Sequence, residues 1–133
     1  MLADYLPAHF VVARTFIPLF KNTPGTYVFI NRMLAFTPMP GSGLVSIATA
    51  GQAMLANALI KETAESATRV NALVIHLGIG WGTPEETERN GQRVADAVAT
   101  IIVRKTAGER IHVGAGDAQL HGTRPVLEVD VAV

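Results

Sequence analysis

LVSIATAGQAMLANALIKETAESATRVNALVIH, residues 44–76, is the stretch whose reading decides the fold. From Leu44 to Ile60 it carries no charged side chain, and Lys61, Glu62 and Glu65 follow before the apolar run RVNALVIHL, residues 69–77. The first part predicts a helix from about Leu44 to Ser66, with Leu55 and Leu59 as an i, i+4 pair. Its small residues Ala48, Gly51, Ala53, Ala56 and Ala58 let another backbone come close. Seventeen uncharged residues fall short of the roughly 20 that cross a bilayer, and Gln52 and Asn57 interrupt them, so a buried helix is expected rather than a membrane span. The second part predicts a strand buried on both faces, as in a parallel sheet.

The same alternation continues outward. LADYLPAHFVVARTFIPLF, residues 2–20, is apolar on nearly every side, the mark of a helix covered on more than one side. Pro7 suits a first turn and Pro18 a helix end, so the regular part is expected over about residues 7–17. KNTPG then turns the chain into TYVFIN, residues 26–31, a short aromatic and β-branched strand. The loop TPMPGSG precedes the long helix. Further on, TPEETERNGQRVADAVATIIVRK opens with Thr83 as N-cap, Pro84 in the first turn and Glu86 closing a capping box. Val94, Ala97, Val98, Ile101 and Ile102 give that helix one apolar face, and RIHV, residues 110–113, reads as a third strand. At the end, VLEVDVAV alternates apolar with polar residues like a half-buried edge strand.

These elements define the expected fold class: α/β, a partial Rossmann-like arrangement of about three parallel strands plus a carboxyl-terminal edge strand, with flanking helices and right-handed crossovers. One domain over residues 1–133 fits the length. Lys plus Arg number 11 and Asp plus Glu number 11, so no net field draws the chain to nucleic acid or to an anionic membrane. Hydrophobic residues at 49% with charged residues at 17% leave more apolar surface than a small monomer covers, which implies a second chain. The absence of cysteine excludes disulfides, thiolate metal sites and a cysteine nucleophile. No basic segment and cleavage site open the sequence, and a cytoplasmic location is expected.

From HFVVARTFIPLF through GTYVFIN, ALIKE and RVNALVI to the last helix and ERIHV, the chain resembles the carboxyl-terminal half of a short-chain dehydrogenase/reductase over about residues 5–116. RVN after KETAESAT is the most specific local match. The resemblance implies a homodimer whose two central helices pack across a two-fold axis, with Phe10, Phe16, Ala53 and Ala56 as interface residues. It also implies a cofactor fingerprint, a glycine-rich turn that would lie ahead of Met1. No cofactor is therefore expected to bind this chain alone, and NAD(P) only where an amino-terminal half is supplied. The family's catalytic serine, tyrosine and lysine fall on Arg32, Val45 and Thr49, and a register one helical turn further gives Ala48 and Gln52. Neither register offers a phenol or an ammonium. Tyr5 and Tyr27 lack a lysine one turn on, so a non-catalytic, self-associating relative is expected; the alternative is a fragment of an oxidoreductase whose other half lies elsewhere.

Position singles out a few further residues. GIGWG, residues 78–82, lies between a strand end and a helix amino terminus, where backbone N–H groups can meet an anion. Glu85, Glu86 and Glu88 oppose one there. Gly78, Gly80, Trp81 and Gly82 with His76, at the carboxyl end of the central strand, are accordingly the ligand-site candidates. His112, Asp117 and His121 do not make a metal-ligand spacing, and no metal is expected.

Overall fold

Strand β2, Thr68–Ile75, is the middle of a three-stranded parallel sheet. It pairs with β1, Gly25–Arg32, from Gly25↔Thr68 to Arg32↔Ile75, and with β3, Arg110–Val113, from Ala72↔Arg110 to Ile75↔Val113. The computed structural model describes residues 2–20 and 22–115. The expected edge strand at residues 126–133, and with it Asp117 and His121, lies outside the described residues.

Alternation along β2 sends Val70, Ala72 and Val74 to one face of the sheet and Asn71, Leu73 and Ile75 to the other. Helix α1, Leu2–Leu19, and helix α2, Gly43–Glu62, cover the first face, where Ala13, Phe29, Ala56, Val70 and Ala72 form one core cluster. Helix α3, Pro84–Val103, covers the second, where Leu73, Ala97, Ile101, Ile111 and Val113 form another. The expected run of right-handed crossovers is corrected here. The strand order advances in one direction from β1 to β3, yet α2 and α3 lie on opposite faces, so the two crossovers have opposite hands. A left-handed crossover is rare, and no feature of the sequence announces it.

Boundaries differ from expectation in two helices. Helix α1 runs through both Pro7 and Pro18; each forfeits one i→i−4 bond, and packing of Ala13 and Ile17 on the sheet holds the helix regardless. Helix α2 stops at Glu62, short of Ser66: Thr63 is its C-cap, and the chain turns there, with the Ser66 N–H donating to Thr63 O at 2.9 Å. Ser66 then turns the chain into β2 through Oγ to Thr68 O at 2.9 Å.

The argument from length against a membrane span also changes. Helix α2 has 20 residues with mean hydropathy 1.5, which meets the length and apolarity of a span. Its packing argues otherwise. Ala48, Thr49, Gln52, Ala53 and Ala56 are buried along it, Gln52 Nε2 donates to Ile30 O of β1 at 3.0 Å, and Asn57 Oδ1 accepts from Arg110 Nη2 of β3 at 2.8 Å.

Candidate functional site at the carboxyl end of the sheet

The register brings Asn31, Val74 and His112 side by side on the α2 face, near the carboxyl ends of the strands. In open α/β sheets this end holds the ligand. His76 follows β2 by one residue, is fixed to the sheet by its N–H to Val113 O at 2.9 Å, and reaches His112. His76 Nε2 and His112 Nδ1 stand 2.8 Å apart. With ring centroids at 5.1 Å, the two nitrogens point nearly straight at one another, so one ring donates an N–H and the other accepts.

The outer nitrogens, His76 Nδ1 and His112 Nε2, are buried and have no hydrogen-bond partner among the described residues. Phe36, just after the 3-10 turn Met33–Ala35, meets His112 at a tilt with ring centroids 5.8 Å apart, and the Arg110 guanidinium lies over the Phe36 ring, 4.8 Å from its centroid. Burial lowers the pKa of His76. Burial, then the charges of His76 and Arg110, push that of His112 down to about 4. Both rings are therefore neutral at pH 7.

A second polar group joins α1, β1 and α2. Gln52, 1% exposed, accepts from Tyr5 Oη at 3.1 Å, and its amide nitrogen donates to Ile30 O and stands 3.4 Å from His9 Nδ1. Asn31 Nδ2 donates to Thr49 O at 2.9 Å. Every member of this group is engaged in holding the helices on the strand.

The positions matched by resemblance are now placed. Thr49 is 1% exposed, and its hydroxyl bonds to Val45 O at 2.9 Å and Ser46 O at 3.2 Å within its own helix. Val45 is partly buried and Arg32 is exposed. Alternation puts Arg32 on the α3 face, opposite Asn31 and the histidine pair. The three positions do not converge on a common point.

The glycine-rich loop differs from an anion site. Glu86 Oε2 accepts from Thr83 N–H at 2.9 Å and Glu86 N–H donates to Thr83 Oγ1 at 3.2 Å, completing the expected capping box. The Glu86 carboxylate also lies against Gly82, so a negative charge already sits where an anion would approach. Gly78 O is taken by Asn90 Nδ2 at 2.8 Å, and Trp81 is 73% exposed on the loop. Among the described residues, no group of three or more His, Asp or Glu side chains is placed to hold a metal ion.

The interface candidates separate. Phe10 and Phe16 are 50% and 47% exposed, whereas Ala53 and Ala56 are 8% and 1% exposed. The two alanines face the chain's own sheet, Ala56 within the core cluster, because a small side chain is what lets α2 lie close to β1 and β2. They are not on the outward surface of α2, which is Leu44, Ile47 and Met54 instead.

Solved structures share this fold. An enoyl-[acyl-carrier-protein] reductase (NADH) from Aquifex aeolicus VF5 is 22% identical, with a TM-score of 0.63 over 81% of this chain and 46% of that one. An NADPH-bound short-chain oxidoreductase from Pseudomonas aeruginosa PAO1, described as containing an atypical catalytic center, is 24% identical, with a TM-score of 0.65 over 87% and 57%. A short-chain dehydrogenase from Leptospira borgpetersenii with bound NAD+ is 13% identical, with a TM-score of 0.66 over 82% and 51%. The chain has the fold of part of a short-chain dehydrogenase/reductase. It spans about half the length of these structures. No protein-family model matches the sequence, and neither does any curated protein.

Within the short-chain dehydrogenase/reductase fold, the sequence reading had named His76 but not its partner. The pair joins residues 36 positions apart, and only the register of β2 with β3 brings them together. Gln52 had one legible signal: with Asn57 it is one of two amides in an uncharged stretch of helix. Asn31 had none.

Proposed function

We propose that this chain is a non-catalytic, self-associating protein with a partial short-chain dehydrogenase/reductase fold. The observation that carries the non-catalytic reading is Thr49. At the position matched to the family's lysine stands a neutral hydroxyl, 1% exposed and spent on its own helix. Val45 supplies no proton at the matched tyrosine position, and Arg32 faces away. Self-association is supported by apolar side chains on the outer sides of α1 and α2, with Phe10, Val11, Phe16, Leu19, Leu44, Ile47 and Met54 between 47% and 69% exposed. Such a patch exceeds what most monomers tolerate.

Titration calorimetry with NAD+ and with NADPH tests the reading. No saturable micromolar binding is expected, and the chain mixed with cofactor and a panel of ketones should give no absorbance change at the nicotinamide band. Micromolar binding together with turnover would contradict it.

A second reading, a fragment of an NAD(P)-dependent oxidoreductase completed by another polypeptide, is favoured by one observation. Among the described residues β1 pairs only with β2, leaving its other edge open. A glycine-rich strand–turn–helix unit encoded in frame ahead of Met1 would favour this reading, although the tyrosine–lysine pair would still be missing from the present residues.

A further inference from the structure

The His76–His112 contact does not belong to either reading above, and its chemistry is unusual. Two neutral imidazoles share one proton along a 2.8 Å line, and each leaves its other nitrogen buried without a partner among the described residues. We propose that this pair is an acid-released latch, which holds the β2–α3 loop and the Phe36 turn on the carboxyl end of the sheet and lets both go when protonated.

The argument is one of proton counting. In the neutral pair one ring presents N–H and the other a bare nitrogen. A first added proton goes to an outer nitrogen and creates a buried imidazolium. A second puts N–H on both facing nitrogens, and the contact cannot survive two hydrogens aimed at each other. Among the described residues no carboxylate bonds to either ring. From β3 itself comes Arg110, two residues from His112 on the same face, and its charge adds to the repulsion. The 3-10 turn, Met33–Ala35, contains no ionisable side chain. Helix α2 carries only Lys61 and Glu62, at its far end, where they adjoin the amino-terminal side of β2. Helix α1 contributes His9, held on Gln52. Strand β1 ends in Arg32 on the opposite face. Release reaches the loop because His76 is the residue that leads out of β2 into Leu77 and GIGWG, and it reaches the turn because Phe36 rests on His112.

The direction follows from linkage. Both histidines titrate below the ordinary value of 6.5 in the fold, so the open form binds more protons in the interval down to about 4. The latched state is therefore favoured above pH 6.5 and loses its advantage as pH falls through that interval.

Hydrogen exchange followed by mass spectrometry on the intact chain, corrected for the intrinsic pH dependence of exchange, tests the latch between pH 7.5 and 4.5, with Trp81 fluorescence as a second readout. Wild type should show at least a tenfold, reversible loss of protection in residues 33–37 and 76–82 on acidification, while α3 stays protected. His112→Phe and His76→Gln, which gain no proton at these positions, should each abolish the pH-dependent step, and His9→Gln and His121→Gln should retain it. Should either pair variant fail to fold, imidazole nitrogen NMR on wild type must still show two coupled titrations below 6.5. Wild-type protection unchanged over the interval, or an equal acid step in both pair variants, would overturn the proposal.

Discussion

Asn71 shows how much one buried amide decides. It is fully buried on the α3 face; its Nδ2 donates to Thr106 O at 2.8 Å and its Oδ1 accepts from Glu109 N–H at 3.1 Å. Those two bonds fix the loop that returns α3 to β3. Replacing Asn71 with Ala leaves the Glu109 N–H without its acceptor and Thr106 O with only the longer contact from Arg69 Nη1 at 3.4 Å, so urea unfolding should show a loss of about 1–3 kcal/mol. A loss below about 0.5 kcal/mol would mean that the loop finds another arrangement. This residue stands in the RVN tripeptide that gave the sharpest local resemblance in the sequence, and its role there is structural. By contrast, the sequence could not reveal the role of His112, because its partner depends on which residue of β2 stands beside which residue of β3.

Elements were legible where a local rule acts within a few residues. The start of α3 follows from Thr83, Pro84 and Glu86, and both reciprocal bonds of the capping box form. Thr83→Ala removes the hydroxyl that accepts from the Glu86 N–H and leaves the backbone N–H of residue 83 to the Glu86 carboxylate, and thermal or urea unfolding should register a loss of about 1 kcal/mol. A neutral result would show that the end of α3 frays without consequence. Elements were less legible where tertiary packing overrides a local rule. The two prolines of α1 suggested a shorter helix, yet packing of Ala13 and Ile17 on the sheet carries it through to Leu19. The run from Leu44 to Ser66 suggested a longer α2, but the chain turns at Thr63, whose carbonyl accepts from the Ser66 N–H. The hand of each crossover is still further from the sequence, since the apolar faces of α2 and α3 say that each helix covers a sheet and not which side.

At the scale of the whole molecule, the balance of 11 basic and 11 acidic residues with 49% hydrophobic content pointed to an apolar surface seeking cover. The fold shows where that surface lies. Among the described residues one edge of β1 is unpaired and Ile30 is 50% exposed, and the outer sides of α1 and α2 expose further apolar groups. The small residues of α2 had suggested that Ala53 and Ala56 meet another subunit, but they are consumed by packing on the sheet. An arginine there would disrupt the fold before it could report on assembly. Variants that test association must therefore change side chains that point outward. Met54 is 66% exposed and Ile47 63% exposed on α2, and Phe16 is 47% exposed on α1.

Sedimentation velocity on the intact chain at micromolar concentration, alongside Met54→Glu and Phe16→Glu, tests the self-association at the centre of this account most directly. The account predicts a wild-type dimer and a shift of both variants toward a folded monomer, with circular dichroism unchanged. A wild type that sediments as a folded monomer, indistinguishable from the two variants, would contradict it.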